Sequence, residues 1–262
     1  MTMVDVQISG PICRVSLSGP DPRNLLSWEI VNEMKQTALG ISANRIIRAV
    51  VLSSRSNHFS MGFDLDSATR FQRHDDSLDD LRALSELGGE MCDAWASIPV
   101  PTISVIDGFC VGGGVALVAT CDFRIVSSRS AFLVPEILRG MNMGWGAIPR
   151  LVNLVGPSRS KQICLLGHKI DASKAMAWGL ANEIGSPDEI MGLADGYVQQ
   201  AISLPPVAAK MIKRSVDRYA GALSTLATQA ESDQFLLMTQ SEDFAEGLKS
   251  FQEKRKAVFS GR

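Results

Sequence analysis

The stretch Pro101-Thr-Ile-Ser-Val-Ile-Asp-Gly-Phe-Cys-Val-Gly-Gly-Gly-Val-Ala-Leu-Val-Ala-Thr-Cys121 decides the architecture. It opens with an apolar, β-branched run suited to a buried strand and closes with a helix-like run, Val115 onward. Between them stands a bare turn, Gly112-Gly113-Gly114. Without Cβ atoms such a turn lets a ligand approach the main chain, and the first amides of the following helix have no intrahelical acceptor. The spot therefore suits a negatively charged or strongly polarised oxygen. It lacks the lysine of a phosphate loop and the G-x-G-x-x-G spacing, so it does not mark a nucleotide site.

Upstream of this segment, residues 4–8 and 12–17 alternate apolar with polar around Gly10-Pro11, which reads as an antiparallel hairpin. A helix is predicted from the N-cap Ser27 to about residue 39, a buried strand over residues 46–53, and a polar loop over 54–63. A long helix from Ser77 to Ser97 is stopped by Pro99 and Pro101. Downstream come a strand at 123–127, a short apolar segment at 131–134, and helices at 158–166 and 173–178, the second closed by Gly179. From Pro187 onward every periodic segment is helical, at 187–203, 205–219, 222–239 and 241–258. Strands interleaved with helices and then helices alone predict an α/β core over residues 1–200 and a helical C-terminal region over 201–262.

With 26 basic and 28 acidic residues among 262, the net charge of −2 draws the chain as a whole to neither nucleic acid nor an anionic membrane. The five cysteines, Cys13, Cys92, Cys110, Cys121 and Cys164, are odd in number and never spaced C-x-x-C. They imply neither a disulfide framework nor a zinc site, and read as reduced thiols of a cytoplasmic protein. The start, Met1-Thr-Met-Val, lacks the basic and apolar regions of a secretion signal. The most apolar stretch, 98–121, is interrupted by Pro99, Pro101, Asp107 and the glycines, so it is core and no membrane span. His58, His74 and His168 are far apart, and no metal set or Ser/His/Asp arrangement is assembled from them.

Three places carry chemistry. The loop His58-Phe-Ser-Met-Gly-Phe-Asp-Leu65 follows a buried strand, as the glycine turn does. One main-chain donor from each loop, aimed at the same oxygen, would stabilise charge developing there. Gly62 by itself reads as a connecting turn. Glu136 is the only charge in Ala-Phe-Leu-Val-Pro-Glu-Ile-Leu138. Buried and unpaired, it would be pushed towards its protonated form and serve as an acid/base; at an edge, it would reach water or Arg139. Position alone leaves both readings open. In Met141-Asn-Met-Gly-Trp-Gly-Ala147, Trp145 reads as a packed core side chain or as the wall of a substrate pocket.

Taken together, these stretches resemble the crotonase (enoyl-CoA hydratase/isomerase) superfamily over nearly the whole chain. The likeness rests on Phe59-Ser-Met-Gly-Phe-Asp-Leu65, Ile106-Asp-Gly-Phe-Cys-Val-Gly-Gly-Gly114 with Cys121-Asp-Phe-Arg124, Pro135-Glu-Ile-Leu-Arg-Gly140 and Phe251-Gln-Glu-Lys-Arg-Lys256. The resemblance implies an α/β spiral of ββα units with C-terminal helices that assemble trimers, or hexamers of paired trimers. It implies an acyl-CoA substrate, with no cofactor or metal beyond it, whose thioester oxygen is held by the amides of Phe63 and Gly113. Arg23, Phe251 and Lys254 match positions that contact CoA, the last two in an adjacent subunit. Met61, Ala116, Met141, Met143 and Trp145 are expected around the acyl group. Hydratases of the family use two glutamates; Glu136 keeps one position and Ala116 stands at the other. That departure favours a double-bond isomerase, in which one carboxylate suffices. A hydratase with a single glutamate, a CoA-ester hydrolase and a non-catalytic CoA-binding relative are the alternatives.

Overall fold

The structure, a computed structural model, describes all residues except 1, 2, 20, 69, 70 and 72–75; His74 lies outside the described residues. In chain order the elements are β1 (Val4–Ser9), β2 (Ile12–Leu17), α1 (Trp28–Ala43), β3 (Ala49–Ser54), α2 (Leu65–Ala68), α3 (Leu78–Ala96), β4 (Thr102–Ile106), β5 (Phe109–Val111), α4 (Gly113–Val118), β6 (Phe123–Ser127) and β7 (Ala131–Leu133). A 3₁₀ turn, Glu136–Arg139, follows. Then come α5 (Ala147–Val155), α6 (Pro157–Cys164), β8 (Ile170–Asp171), α7 (Ala172–Trp178), β9 (Glu183–Gly185), α8 (Ile190–Ser203), α9 (Pro206–Ala220), α10 (Ser224–Thr228), α11 (Glu231–Thr239) and α12 (Glu242–Gln252).

Six strands form one sheet in the order β1-β2-β3-β4-β6-β9, and β5-β7-β8 form a second. The hairpin β1–β2 is antiparallel, and every later neighbour in the large sheet is parallel. A parallel sheet is covered on both faces, which explains why β3 and β4 read as unbroken apolar runs. Val50 and Leu52 join the main core with α1, α3 and α4. Ala49 and Val51 face the other way, with Ile103, Val105 and Ile125, against Ile190, Ala194 and Val198 of α8. Strand β3 starts at Ala49, three residues after the expected Ile46, because β2 begins only after the Gly10-Pro11 turn and its Ile12 pairs with Ala49.

Ser27 and Ser77 cap α1 and α3 as expected, accepting from Ile30 N–H and Asp80 N–H. The two helices pack in the core, where the Trp95 indole donates to the Met34 carbonyl at 3.1 Å. Gly179, with φ +81°, closes α7. The helix expected over 222–239 is divided into α10 and α11, and the break turns Glu231 so that it accepts the Gly146 amide at 2.8 Å. The helix expected over 241–258 ends at Gln252; the chain then folds back, with Arg255 and the Val258 amide both on Glu246. Segments β5, α5, β8 and β9 are too short or too mixed in pattern to be read as elements from the sequence.

Two charged groups fasten the glycine segment to its surroundings. Arg124, 2% exposed, donates to the carbonyls of Cys121 and Leu180 and to Asn182 Oδ1. Asp122 accepts from the amide and hydroxyl of Thr102 and pairs with Lys213 of α9, whose side chain is 9% exposed. Lys213 also has Asp217 at 3.4 Å, so Asp122→Ala leaves the ammonium one partner but takes the acceptor from Thr102, and is expected to cost about 2 kcal/mol in urea unfolding. Asp122→Ala combined with Lys213→Met should recover part of that loss, since the buried ammonium that kept only its longer contact to Asp217 is then gone.

Candidate active site

In the 58–65 loop the amides on either side of Phe63 are engaged. Met61 N–H donates to the Arg23 carbonyl, Gly62 N–H to Ser60 Oγ and Asp64 N–H to the Leu26 carbonyl. Phe63 N–H, between them, has no acceptor among the described residues. Gly62, at φ +94°, sets this geometry and lies against the Val111 carbonyl with 3.0 Å to where a Cβ would stand. In the glycine turn, Gly112 N–H donates to the Leu133 carbonyl, while Val115 and Ala116 donate back to the Gly112 carbonyl. Gly113 N–H, at the start of α4, is left without an acceptor among the described residues.

Glu136 opens the 3₁₀ turn that follows β7. A Cβ on Gly112 would overlap its Oε1, so the carboxyl occupies the space that the missing side chain leaves. Its Oε2 is shut off from solvent and has no hydrogen-bond partner among the described residues. Burial pushes the carboxyl up to about 7; its own amide and the Arg139 charge pull the other way without overcoming it. Of the two readings left open, the fold adopts one between them: the residue is half-buried, with Oε2 enclosed.

A cavity of about 560 Å³ joins these parts. Met61, Phe63, Gly113, Glu136, Met141, Met143, Trp145 and Phe251 all line it. Trp145 is both wall and packing group: Cβ atoms on Gly88 of α3 or on Gly113 would overlap its indole. Its φ of +61° is strained for a bulky residue, and Arg150, which donates to its carbonyl at 3.0 Å, helps to hold it. Ala116, expected beside the substrate, is fully buried in the core and off the cavity wall, because α4 turns that face toward the packed interior. Arg23 and Lys254 are exposed and also off the wall; Arg23 is tied to Asp21 at 2.6 Å. Sequence reasoning missed Trp28, Asn142 and Gly88. Of these, Gly88 carried a signal, since a Gly-Gly pair inside a long helix is costly without a close approach.

Helix α12 seats the acid. Gly140, with φ +65°, closes the 3₁₀ turn against the backbone of Asp243 and Phe244, and Gly247 leaves no room for a Cβ against the backbone of Arg139. The Arg139 guanidinium lies 4.3 Å from the centroid of the Phe251 ring. No helix among the described residues is long and apolar enough to cross a membrane, and no group of three or more His, Cys, Asp or Glu among them is placed to hold a metal ion.

A mixed α/β core with an acid seated beside a helix-opening glycine turn defines an enzyme of the crotonase-like class. The chain matches the enoyl-CoA hydratase/isomerase family over residues 7–262, and it belongs to that family. It is 30% identical to a probable enoyl-CoA hydratase of Rhizobium meliloti, over 98% of this chain and 97% of that one. It is 28% identical to the short-chain-enoyl-CoA hydratase of Clostridium acetobutylicum, over 97% and 95% of the two chains. In fold it is similar to the crystal structure of an enoyl-CoA hydratase from Mycobacterium avium subsp. paratuberculosis, with a TM-score of 0.88, 24% identity and 99% of each chain covered.

The folded carboxyl of Glu136, at about 7, lies above its ordinary 4.5, so the native state takes up a proton between those values. The stability it contributes is complete below pH 4.5 and is lost as pH rises through 7. Glu136→Gln, which cannot ionise, is expected to be more stable than the wild type at pH 8, by on the order of 3 kcal/mol at most. In thermal unfolding the difference should fade below pH 5. Gly247→Ala pushes α12 off the 3₁₀ turn and is expected to cost about 2 kcal/mol, with the Glu136 titration followed by carboxyl NMR moving down as water enters. Gly89→Ala, facing open space, is the contrast and should be neutral or stabilising.

Proposed function

We propose that the chain is a cytoplasmic enoyl-CoA double-bond isomerase in which Glu136 is the single acid/base and the amides of Phe63 and Gly113 hold the thioester oxygen. The observation that carries this reading is the carboxyl of Glu136 seated against the glycine turn, its Oε2 without a partner among the described residues and its proton affinity raised to about 7. Glu136 removes a proton from the carbon next to the carbonyl of a 3-enoyl-CoA, and the two amides stabilise the enolate oxygen. The electron pair spreads into the adjoining double bond, and Glu136 returns the same proton at the far carbon, leaving the conjugated 2-enoyl thioester. The proton is borrowed and restored, so the step needs no cofactor. A pKa near working pH suits a group that must both take and give.

Met141, Met143 and Trp145 border the acyl chain on this reading, with methionine's adaptability suited to alkyl groups. Phe251 and the exposed Arg23 and Lys254 serve the CoA portion. The exposed Val207, Met211, Ile212 and Val216 of α9, with Leu223 and Leu226 beyond it, support assembly of copies as trimers or hexamers through the region 201–262.

Hydration is the second reading, and the names of relatives support it: the two curated proteins named above are called hydratases. Glu136 would then activate water alone. Assay of both substrates decides. The isomerase should convert 3-enoyl-CoA to the conjugated ester, with kcat/KM falling below about pH 7 as Glu136 is protonated, and Glu136→Gln should lower kcat by about a thousandfold. Hydration of 2-enoyl-CoA by a protein inert toward 3-enoyl-CoA would establish the second reading instead.

A further inference from the structure

Trp145 stands in a conformation that its own backbone resists. Its φ is +61° and that of Gly146 is +64°, two successive left-handed residues of which only the glycine adopts that region freely. Charged side chains hold the pair there. Arg150 Nη1 donates to the carbonyls of Trp145 at 3.0 Å and Gly146 at 3.1 Å, while its Nη2 donates to Asp93 of α3 at 2.6 Å. Glu231, at the start of α11, accepts the Gly146 amide at 2.8 Å. Helices α3, α5 and α11 are thus joined on one two-residue segment. A side chain that only borders an alkyl chain does so from ordinary backbone. Strain held from several sides in this way points to a side chain whose aim matters.

The indole is aimed at the two residues with free amides. Its five-membered edge, Cδ1, Nε1 and Cε2, lies on Gly88 of α3, and its six-membered edge, Cζ3 and Cη2, lies on Gly113. Each edge fills the place where a Cβ would stand, so the ring is wedged between two backbones. It also meets the Phe63 ring edge-on, with centroids 5.9 Å apart and planes at 83°, while Trp28 meets that ring from 4.6 Å. Phe63 and Gly113 are the residues whose amides lack an acceptor among the described residues. They belong to separate loops, and the one indole touches both. A phenyl ring is too short to rest on Gly88 and Gly113 together; the fused ring spans them.

Resting on the reading that these two amides hold the thioester oxygen, we propose that Trp145 is a positioning residue for the donor pair: braced on Gly88, its indole fixes Gly113 and Phe63 relative to each other, and Arg150 with Asp93 and Glu231 keeps the indole in place. Donors stabilise developing charge only when they are aimed beforehand at the position the oxygen will take. A misplacement of about 1 Å costs about a hundredfold in rate. A turn opened by three glycines and a loop hinged at Gly62 have little stiffness of their own, because glycine leaves the backbone free. The rigid indole supplies the stiffness they lack.

Difference infrared spectroscopy of bound butyryl-CoA and octanoyl-CoA, isotope-labelled at the carbonyl carbon, reads the donor pair directly, because hydrogen bonds to a carbonyl oxygen lower its stretching frequency. In the wild type the band should fall on binding. Trp145→Phe and Trp145→Leu should return it most of the way to the free-ester frequency. On the enoyl-CoA that the wild type turns over, they should lower kcat by about tenfold and about a hundredfold, with KM within about threefold. Arg150→Met leaves the ring intact and frees its backbone; it should move the band the same way, and it serves alone if the Trp145 variants do not fold. The Glu136 titration should stay near 7 in each variant, which separates misaimed donors from entry of water. A band unmoved by every variant, a raised KM at unchanged kcat, or a Glu136 titration that falls with the band overturns the positioning role and leaves the two amides as donors. A wild type that binds neither ester, or binds them with no fall in the band, overturns the reading of the amides itself.

Discussion

The site depends on an exclusion: Glu136 has room only because residue 112 has no side chain. That space is closed on the other side by the 3₁₀ turn, so the carboxyl is held where solvent does not reach Oε2 and none of the described residues bonds that atom. Its high proton affinity follows from this placement, with burial outweighing the pull of Arg139. The same glycines that make room for the acid also leave the Gly113 amide without an acceptor, because a helix that starts inside a bare turn has nothing behind it to bond. Acid and donor are thus two consequences of one short piece of chain.

Keeping so unfavourable a group in place requires support from elements far apart in sequence. Strand β7 and its pairing with β5 fix the approach to the turn, and Gly140 and Gly247 let α12 press directly on the backbone that carries Glu136. Trp145 is held in a left-handed conformation between Gly88 and Gly113, so α3 also bears on the site. Helix α12 is in this sense part of the geometry of the candidate site. Small residues recur at each of these contacts because the backbones themselves must touch.

The sequence carried the sheet, the long helices and the glycine turn because each is local: a β-branched run, a capped periodic stretch, an absence of Cβ atoms. It also carried Glu136, as a lone charge among apolar neighbours. What it did not carry depends on which distant residue fills a space. Ala116 stands beside the turn in sequence yet faces the core, and only the orientation of α4 decides that. The division between α10 and α11 goes with the bond of Gly146 to Glu231, and the early end of α12 with the return of residues 253–258 onto Glu246. Trp28 and Asn142 join the cavity through the aromatic wall that connects α1 to α11, a contact with no local signature.

One acid with a pKa near 7 suits some members of this family better than others. Two carboxylates sharing a small buried site repel, so one of them is kept protonated and the pair divides the work of holding and activating water. A single carboxyl has no such partner to set its charge; burial must do it, and burial does so here at the expense of stability above neutral pH. A proton that is taken from one carbon and returned to another needs only that one group and a fixed oxygen. Helix α4 carries no acid, so none from it reaches the cavity, and on the proposed reading a proton carried between two carbons needs none.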